Sequence, residues 1–104
     1  MAGGPPLGVC RMGIDMCSGH PEGATYYPPR PAITGSPDVF VEGLPAVRFS
    51  DQWAPHTNLF KVHGGGSIGG SFTVFCNGVP LVRQTDLIDC TSLVLTGSTT
   101  VFAG

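Results

Sequence analysis

Three histidines and four cysteines are the residues of this chain that could bind a metal ion. One nitrogen or sulfur ligand stands four or five residues after each of three aspartates. These pairs are Asp15 and His20, Asp51 and His56, and Asp86 and Cys90, and His63 is the remaining histidine. Three imidazoles and one thiolate have the type and number of ligands found in a closed structural zinc site. The spacing therefore predicts a site made by His20, His56, His63 and Cys90, for zinc or, because such ligands accept other transition metals, for iron.

Two alternatives to this site stay open in the sequence. Cys17, three residues before His20, is the other candidate for the thiolate ligand. A zinc hydrolase would need one coordination position open for water, which four protein ligands do not leave. Glu22 is the only carboxylate near a ligand in its own loop. We therefore expect a metal site without catalysis, with a hydrolase as the lesser alternative.

The remaining polar and aromatic residues have simpler expected roles. Cys10 and Cys76 are expected to be buried thiols, because both fall on presumed strands beside apolar positions. The three aspartates either orient imidazoles or cap turns. Arg48 and Arg83 are expected to pair with a charge or to lay their apolar stems along the surface. The aromatic residues expected to pack beneath the loops are Tyr26, Tyr27, Trp53 and Phe60.

A repeat places the ligands in equivalent positions. Residues 33–51 (ITGSPDVFVEGLPAVRFSD) align without a gap with residues 68–86 (IGGSFTVFCNGVPLVRQTD). Residues 95–104 (LTGSTTVFAG) begin a third copy, and residues 9–15 (VCRMGID) match its second half with a one-residue gap. Joined across the two ends of the chain, these segments predict three related units.

Each unit has the pattern of a β-hairpin. Apolar and polar residues alternate before Glu42-Gly43 and Asn77-Gly78, and Asn-Gly is a strong signal for a tight hairpin turn. The returning strands are predicted at 46–48 and 81–83. Gly35, Gly70 and Gly97 are expected to sit at tight bends or at positive φ. Connecting loops are predicted between the units. Those at 16–31 and 52–66 are long and the one at 87–96 is shorter, and a metal ion would order them.

The composition agrees with a small all-β domain. The 104 residues include 16 Gly and 10 Pro, which interrupt helices, and 41% are apolar while only 12% are charged. The net charge of −2 leaves no basic surface for nucleic acid. No apolar run reaches the roughly 18 residues of a membrane span, and no secretory signal is apparent. We expect synthesis in the cytoplasm with reduced thiols, and a loosely ordered start at residues 1–8.

The repeated Gly-Ser-x-x-Val-Phe-x-x-Gly-x-Pro-x-x-Arg-x-x-Asp pattern, with its His-Gly and late Cys landmarks, resembles the PAAR-repeat proteins over residues 9–104. Those proteins form the spike tips of contractile injection systems, and Cys17-Ser-Gly-His20 resembles the phage-tail branch. The resemblance implies one domain, 1–104, shaped as a small cone of three pseudo-threefold β-hairpins. Its loops would converge on zinc near the tip, held at the positions of His20, His56, His63 and Cys90. Thr91 departs from the family, where Gly is common after the Cys.

The resemblance also implies a function. A monomeric cap would sit on a trimeric β-helical spike protein, one copy per trimer, in a phage tail or a type VI secretion-like machine. It would be made in the host cytoplasm, assembled at the spike tip and driven into the envelope of the target cell. No fused toxin domain is expected, and whether a separate effector travels on the tip stays open. The alternative is a stand-alone zinc-stabilised protein-binding module.

The repeated Val-Phe pairs carry the expectation that the cap matches a threefold-symmetric spike. Val39, Val74 and Val101 form one equivalent set, and Phe40, Phe75 and Phe102 form another. One set is expected to fill the interior of the cone, while the wide end meets the spike trimer.

Overall fold

The computed structural model describes residues 6–22, 25–57, 62–88 and 92–104. These residues form short antiparallel strands and, within the ranges just given, no helix. The molecule measures 41 × 29 × 23 Å. The strands are β1 (Leu7–Gly8), β2 (His20–Glu22), β3 (Thr25–Tyr27), β4 (Phe40–Val41), β5 (Leu44–Pro45), β6 (Gln52–Thr57), β7 (Val62–Gly66), β8 (Phe75–Cys76), β9 (Val79–Pro80) and β10 (Phe102–Ala103). The predicted all-β fold is confirmed.

Three of the strand pairs are the predicted repeat hairpins. β4 pairs with β5 and β8 with β9, in the same register. The third hairpin is split: β10 at the end of the chain pairs with β1 at its start. The chain therefore closes on itself, and the structure confirms the unit predicted across the termini. We refer to units 1, 2 and 3 as residues 33–51, residues 68–86, and residues 95–104 with 7–15.

The turns of the first two hairpins have the conformation that their sequences predict. Glu42 and Gly43 have φ of 54° and 82°, and Asn77 and Gly78 repeat these values. Two successive positive φ angles are typical of the type I′ turn, whose twist suits a two-residue hairpin loop. A second left-handed position follows each returning strand, at Gly13, Ser50 and Thr85.

The three units meet at the centre through a closed ring of backbone hydrogen bonds. The amide of Cys10 donates to the carbonyl of Val82 at 3.0 Å, Val82 donates to Val47 at 2.9 Å, and Val47 donates to Cys10 at 3.1 Å. All three residues are fully buried. Because each unit gives one donor and one acceptor to this ring, none of the three amides is left unsatisfied in the core.

Two apolar clusters surround this ring. One cluster is made of two equivalent sets, one residue per unit in each set: Val9, Ala46 and Leu81, and Val41, Cys76 and Ala103. The other cluster contains the ring residues with Cys17, Ala32, Trp53, Ile88 and Val94. The prediction that Cys10 and Cys76 are buried thiols is confirmed, and burial raises the pKa of the Cys10 thiol far above its ordinary value.

A second ring joins the units through side chains. Ser36 Oγ lies 2.6 Å from Asn77 Oδ1 of unit 2, Ser71 Oγ contacts the Gly104 carbonyl of unit 3, and Ser98 Oγ lies 2.5 Å from Glu42 Oε1 of unit 1. Each serine oxygen also accepts the amides of the residues two and three positions later, at 2.9–3.3 Å. The Gly-Ser of every repeat is thus a turn cap and an inter-unit bond.

The glycines before these serines are required for close packing. A Cβ on Gly35 would lie 2.9 Å from the Ala46 carbonyl, and one on Gly97 would lie 2.5 Å from the Gly8 carbonyl. The sequence predicted either a tight bend or a positive φ at Gly35, Gly70 and Gly97. Positive φ does not apply, because the described glycines with positive φ are Gly13, Gly43 and Gly78.

Two expectations about irregular segments are corrected. The loops predicted at 16–31 and 52–66 contain hairpins, because β2 pairs with β3 and β6 pairs with β7. Pairing satisfies backbone groups that a long loop would leave to water. The loose start predicted for residues 1–8 ends earlier, because Leu7 and Gly8 are held as a strand by β10. Residues 1–5 lie outside the described residues.

Candidate functional site

Three Arg–Asp clamps fix the points where the chain leaves each repeat unit. Each aspartate accepts the backbone amide of the arginine before it at 2.7 Å and its Nε at 2.9–3.1 Å. The pairs are Arg11 with Asp15, Arg48 with Asp51, and Arg83 with Asp86. The spacing is four residues in unit 3 and three in the others, which explains the one-residue gap in the repeat.

The clamps give the aspartates the turn-capping role expected from the sequence. Both carboxylate oxygens of Asp51 are engaged by Arg48, and Thr34 Oγ1 adds a bond of 2.8 Å. Burial alone would raise the pKa of Asp51, but the hydrogen bonds from Arg48 and Thr34 hold it below its ordinary value. The aspartates therefore act as charged turn caps, and charge pairing is the role of the arginines.

Two of the predicted histidine ligands occupy opposed positions in one hairpin. In the register of β6 and β7, His56 is the direct backbone partner of His63, after a register shift between Trp53 and His56. The third, His20, begins β2 opposite Tyr27. Cys90 lies outside the described residues, and the side chains of the histidines lie outside what the structure describes.

The bases of the two histidine-bearing hairpins are joined by buried polar contacts. Trp53 is 1% exposed, and its Nε1 donates to Ser67 Oγ at 2.8 Å. Arg30 is also buried and donates to the Ala54 carbonyl at 2.6 Å. The amide of Ala54 in turn donates to the Pro31 carbonyl at 2.9 Å. The Trp53 bond closes the base of the β6–β7 hairpin, and the two contacts of Ala54 connect β6 to the segment after β3, so one hairpin positions the other.

Cys17, the alternative thiolate ligand, is part of this buried connection. Its side chain is fully buried in the core cluster, and Arg30 Nε donates to its sulfur at 3.3 Å. A cationic guanidinium against the sulfur is an unfavourable neighbour for a metal cation. Among the described side chains, no group of three or more His, Cys, Asp or Glu residues gathers as a metal site.

The opposite end of the molecule exposes a threefold set of aromatic side chains, which we call the Phe ring. Phe40, Phe75 and Phe102 are 57%, 59% and 55% exposed. The prediction that either the Val or the Phe set fills the interior is wrong, because the equivalent valines are also partly exposed. The inward positions belong to Val41, Cys76 and Ala103, since strand alternation turns the preceding phenylalanines outward.

Sequence reasoning missed two kinds of residue in this arrangement. The repeated Gly-Ser is visible in the sequence. Its bond to the neighbouring unit could not be predicted, because that bond depends on how the three units pack together. Arg30 carried no signal, because an arginine in a proline-rich segment is ordinarily exposed. Trp53 was expected beneath a loop, and it lies in β6 with its side chain in the core cluster. Phe60 lies outside the described residues, as do the side chains of Tyr26 and Tyr27.

The fold is a small all-β body of three repeat hairpins around a pseudo-threefold axis, with an exposed ring of three phenylalanines. The family model described as the PAAR motif matches residues 22–90, well over half of the chain. The chain therefore belongs to the PAAR-motif family, which supports a spike-tip-type protein of contractile injection systems. The family is one of structural proteins. No curated protein matches the chain.

The residues matched by the family model include three of the four predicted metal ligands, His56, His63 and Cys90. The fourth, His20, lies two residues before the match begins. None of the described residues belongs to a helix able to cross a membrane.

Proposed function

We propose that this protein caps a trimeric β-helical spike, one copy per trimer, at the tip of a contractile injection machine that pierces a target cell envelope. The observation that carries the proposal is the Phe ring. A single chain exposes three equivalent aromatic side chains around one axis, and a threefold-symmetric partner offers three equivalent places for them. Exposed aromatic groups of this size are typical of interaction surfaces.

The hydrogen-bond rings make this surface rigid. The central ring of Cys10, Val47 and Val82 and the outer ring of serines hold the three hairpins at fixed positions. A preorganised surface loses little conformational entropy on binding. The strands of the ring are only two residues long, so the spike would also cover backbone groups at their edges.

The histidine-bearing hairpins would form the tip, where His20, His56, His63 and Cys90 would hold zinc. Directly opposed residues of an antiparallel pair have Cβ atoms about 4.5 to 5.5 Å apart, which suits two ligands of one ion. His56 and His63 are such a pair. Zinc bound by four protein side chains serves a structural purpose, because no position is left for a reacting water. The ion would tie the hairpins together without catalysis.

Co-purification with a trimeric β-helical spike protein of a contractile injection machine tests the proposal. The variant F40S/F75S/F102S should lose the complex, because it replaces the whole Phe ring with small polar side chains. A matched control, I33S/I68S/L95S, also changes one exposed apolar residue per unit but lies away from the ring, and should keep the complex. Equal retention of the spike by both variants would refute the proposed interface.

A further inference from the structure

The lines along which neighbouring units meet carry clefts that the repeat makes equivalent. One cleft, of about 410 Å³, lies between units 1 and 2, and another, of about 380 Å³, lies between units 2 and 3. Their volumes are similar, but three equivalent wall positions hold different residues. These positions are Phe49, Gly69 and Phe72 in the first cleft, and Gln84, Thr96 and Thr99 in the second.

The first cleft, which we call the apolar cleft, has two phenylalanines without an aromatic counterpart at the other lines. Phe72 is 88% exposed, the largest exposed fraction among the large apolar side chains that the structure describes. Phe49, from the neighbouring unit, is 40% exposed. At the line between units 3 and 1, the repeat places Met12 and Pro37, and Met12 packs against the core. The pseudo-threefold symmetry is therefore broken at one flank, by exposed aromatic groups typical of an interaction surface.

A carboxylate oxygen in the wall of the apolar cleft has room for one more hydrogen bond. Unit 2 has Gly69 where the other units have threonine, and among the described residues Asp86 Oδ1 accepts only from Arg83 Nη2, at 3.0 Å. In units 1 and 3 the threonine hydroxyl also donates to Oδ1 of the clamp aspartate. The pairs are Thr34 with Asp51 at 2.8 Å and Thr96 with Asp15 at 2.9 Å. Because a carboxylate oxygen has two lone pairs, an occupant of the cleft can donate the bond that Gly69 cannot.

The apolar cleft opens beside the Phe ring and carries no net charge. Phe72 lies three residues before Phe75 of the ring, and Pro80 in the cleft wall is the direct strand partner of Phe75. The charged groups that line the cleft, Arg83 and Asp86, form an ion pair at 3.0 Å. An uncharged segment suits such a cleft, because a charged one would lose water there without gaining a partner.

We infer that the apolar cleft binds an uncharged segment of one spike chain, which packs a large apolar side chain against Phe49 and Phe72 and donates a serine or threonine hydroxyl to Asp86. The apolar walls favour the side chain, the threonines of units 1 and 3 favour the hydroxyl, and the position beside the Phe ring favours the spike as the source. The inference rests on the proposed function and extends its interface along one flank. Because the described residues form one such cleft, only one of the three spike chains is bound in this way.

The affinity of the cap for the spike tests the inference. The variant F49S/F72S should bind the spike at least about tenfold more weakly than the unmodified chain, because two exposed aromatic side chains lose their contact with apolar surface. The matched control Q84S/T99S changes the equivalent positions of the second cleft and should bind like the unmodified chain. The variant I33S/I68S/L95S also changes one wall residue of the apolar cleft, but it keeps both phenylalanines and therefore keeps the complex.

Photo-crosslinking identifies the bound segment without removing the aromatic group. In the assembled cap–spike complex, a photoreactive phenylalanine derivative at position 72 should crosslink to a spike chain, and the same derivative at the equivalent position 99 should crosslink more weakly. Mass spectrometry of the crosslinked peptide should show a serine or threonine beside an apolar residue. Equal crosslinking from the two positions, a peptide without a hydroxyl side chain, or a crosslink to a protein other than the spike would overturn the inference.

The outcomes separate the two proposals. Loss of the complex by F40S/F75S/F102S, together with unchanged affinity of F49S/F72S, refutes the cleft inference and leaves the Phe-ring interface standing. Absence of any complex between the unmodified chain and the spike refutes the proposed function, and the cleft inference falls with it.

Discussion

The Phe-ring end and the histidine-bearing hairpins are held together in different ways. At the Phe-ring end three kinds of contact each occur three times: the central backbone ring, the serine ring and the Arg–Asp clamps. The described contacts of the histidine-bearing hairpins are few and singular, centred on Trp53 and Arg30. Hydrogen bonds and ion pairs repeated in all three units stabilise the Phe-ring end. A few buried side chains and, in our proposal, a metal ion stabilise the histidine-bearing hairpins.

In our proposal this difference separates two tasks within about 100 residues. A surface that matches a threefold partner would need symmetry, which repeated bonds supply. A tip would need only stiffness, and because a core this small contributes little there, metal-binding free energy would become folding free energy. The comparison predicts that the two ends respond differently to mutation.

The largest expected effect is at the histidine-bearing end. The variant C90A should lose bound zinc and lower the free energy of unfolding by about 4 kcal/mol or more, because a missing metal is among the most destabilising changes. The variant C17A should keep zinc, since we assign its sulfur to the core beside Arg30. Elemental analysis with thermal unfolding measures both. Zinc retained by C90A and lost by C17A would reverse the ligand assignment.

An intermediate effect is expected at a clamp. The variant D51N leaves the Arg48 guanidinium without its carboxylate and should cost about 2 kcal/mol, less than for a fully buried pair because Arg48 is partly exposed. Urea unfolding measures this. D38N serves as the comparison and should cost less, because its exposed carboxylate accepts bonds from Ser36 and Asn77 but forms no clamp.

The same clamp gives a pH dependence. The pKa of Asp51 is lower in the folded protein than its ordinary value, so its stabilisation is complete above that ordinary value of about 3.9 and is lost as the pH falls through the folded pKa. D51N should flatten the stability profile in this acidic range. An unchanged profile would contradict the assigned role of the clamp.

The smallest expected effect is at the serine ring. The variant S36A removes one side-chain bond to unit 2 and one turn cap, and should cost about 1 kcal/mol, because the remaining two serines still connect the units. S71A should behave alike, since its position is equivalent. A loss of several kcal/mol from either variant, measured by urea unfolding, would show that the ring cannot tolerate one missing bond.

Much of the Phe-ring end could be predicted from sequence. The repeat indicates three related units, and Asn77-Gly78 indicates a tight hairpin turn. The buried thiols at 10 and 76 followed from aligned apolar positions. The direction of Phe40 could not be predicted, because in a strand of two residues the alternation does not say which face is inward. The β6–β7 hairpin was missed because Pro55 and three successive glycines at 64–66 weaken any strand pattern. The ligand set of His20, His56, His63 and Cys90 stays a prediction.

The mass of the complex between this protein and its spike tests the central claim most directly. Native mass spectrometry should give one cap for three spike chains, because the pseudo-threefold surface of one chain occupies the whole end of the trimer. The complex should persist at high salt, since apolar contacts at the Phe ring rather than charges carry it. Three caps for three spike chains, or no complex at all, would contradict the account.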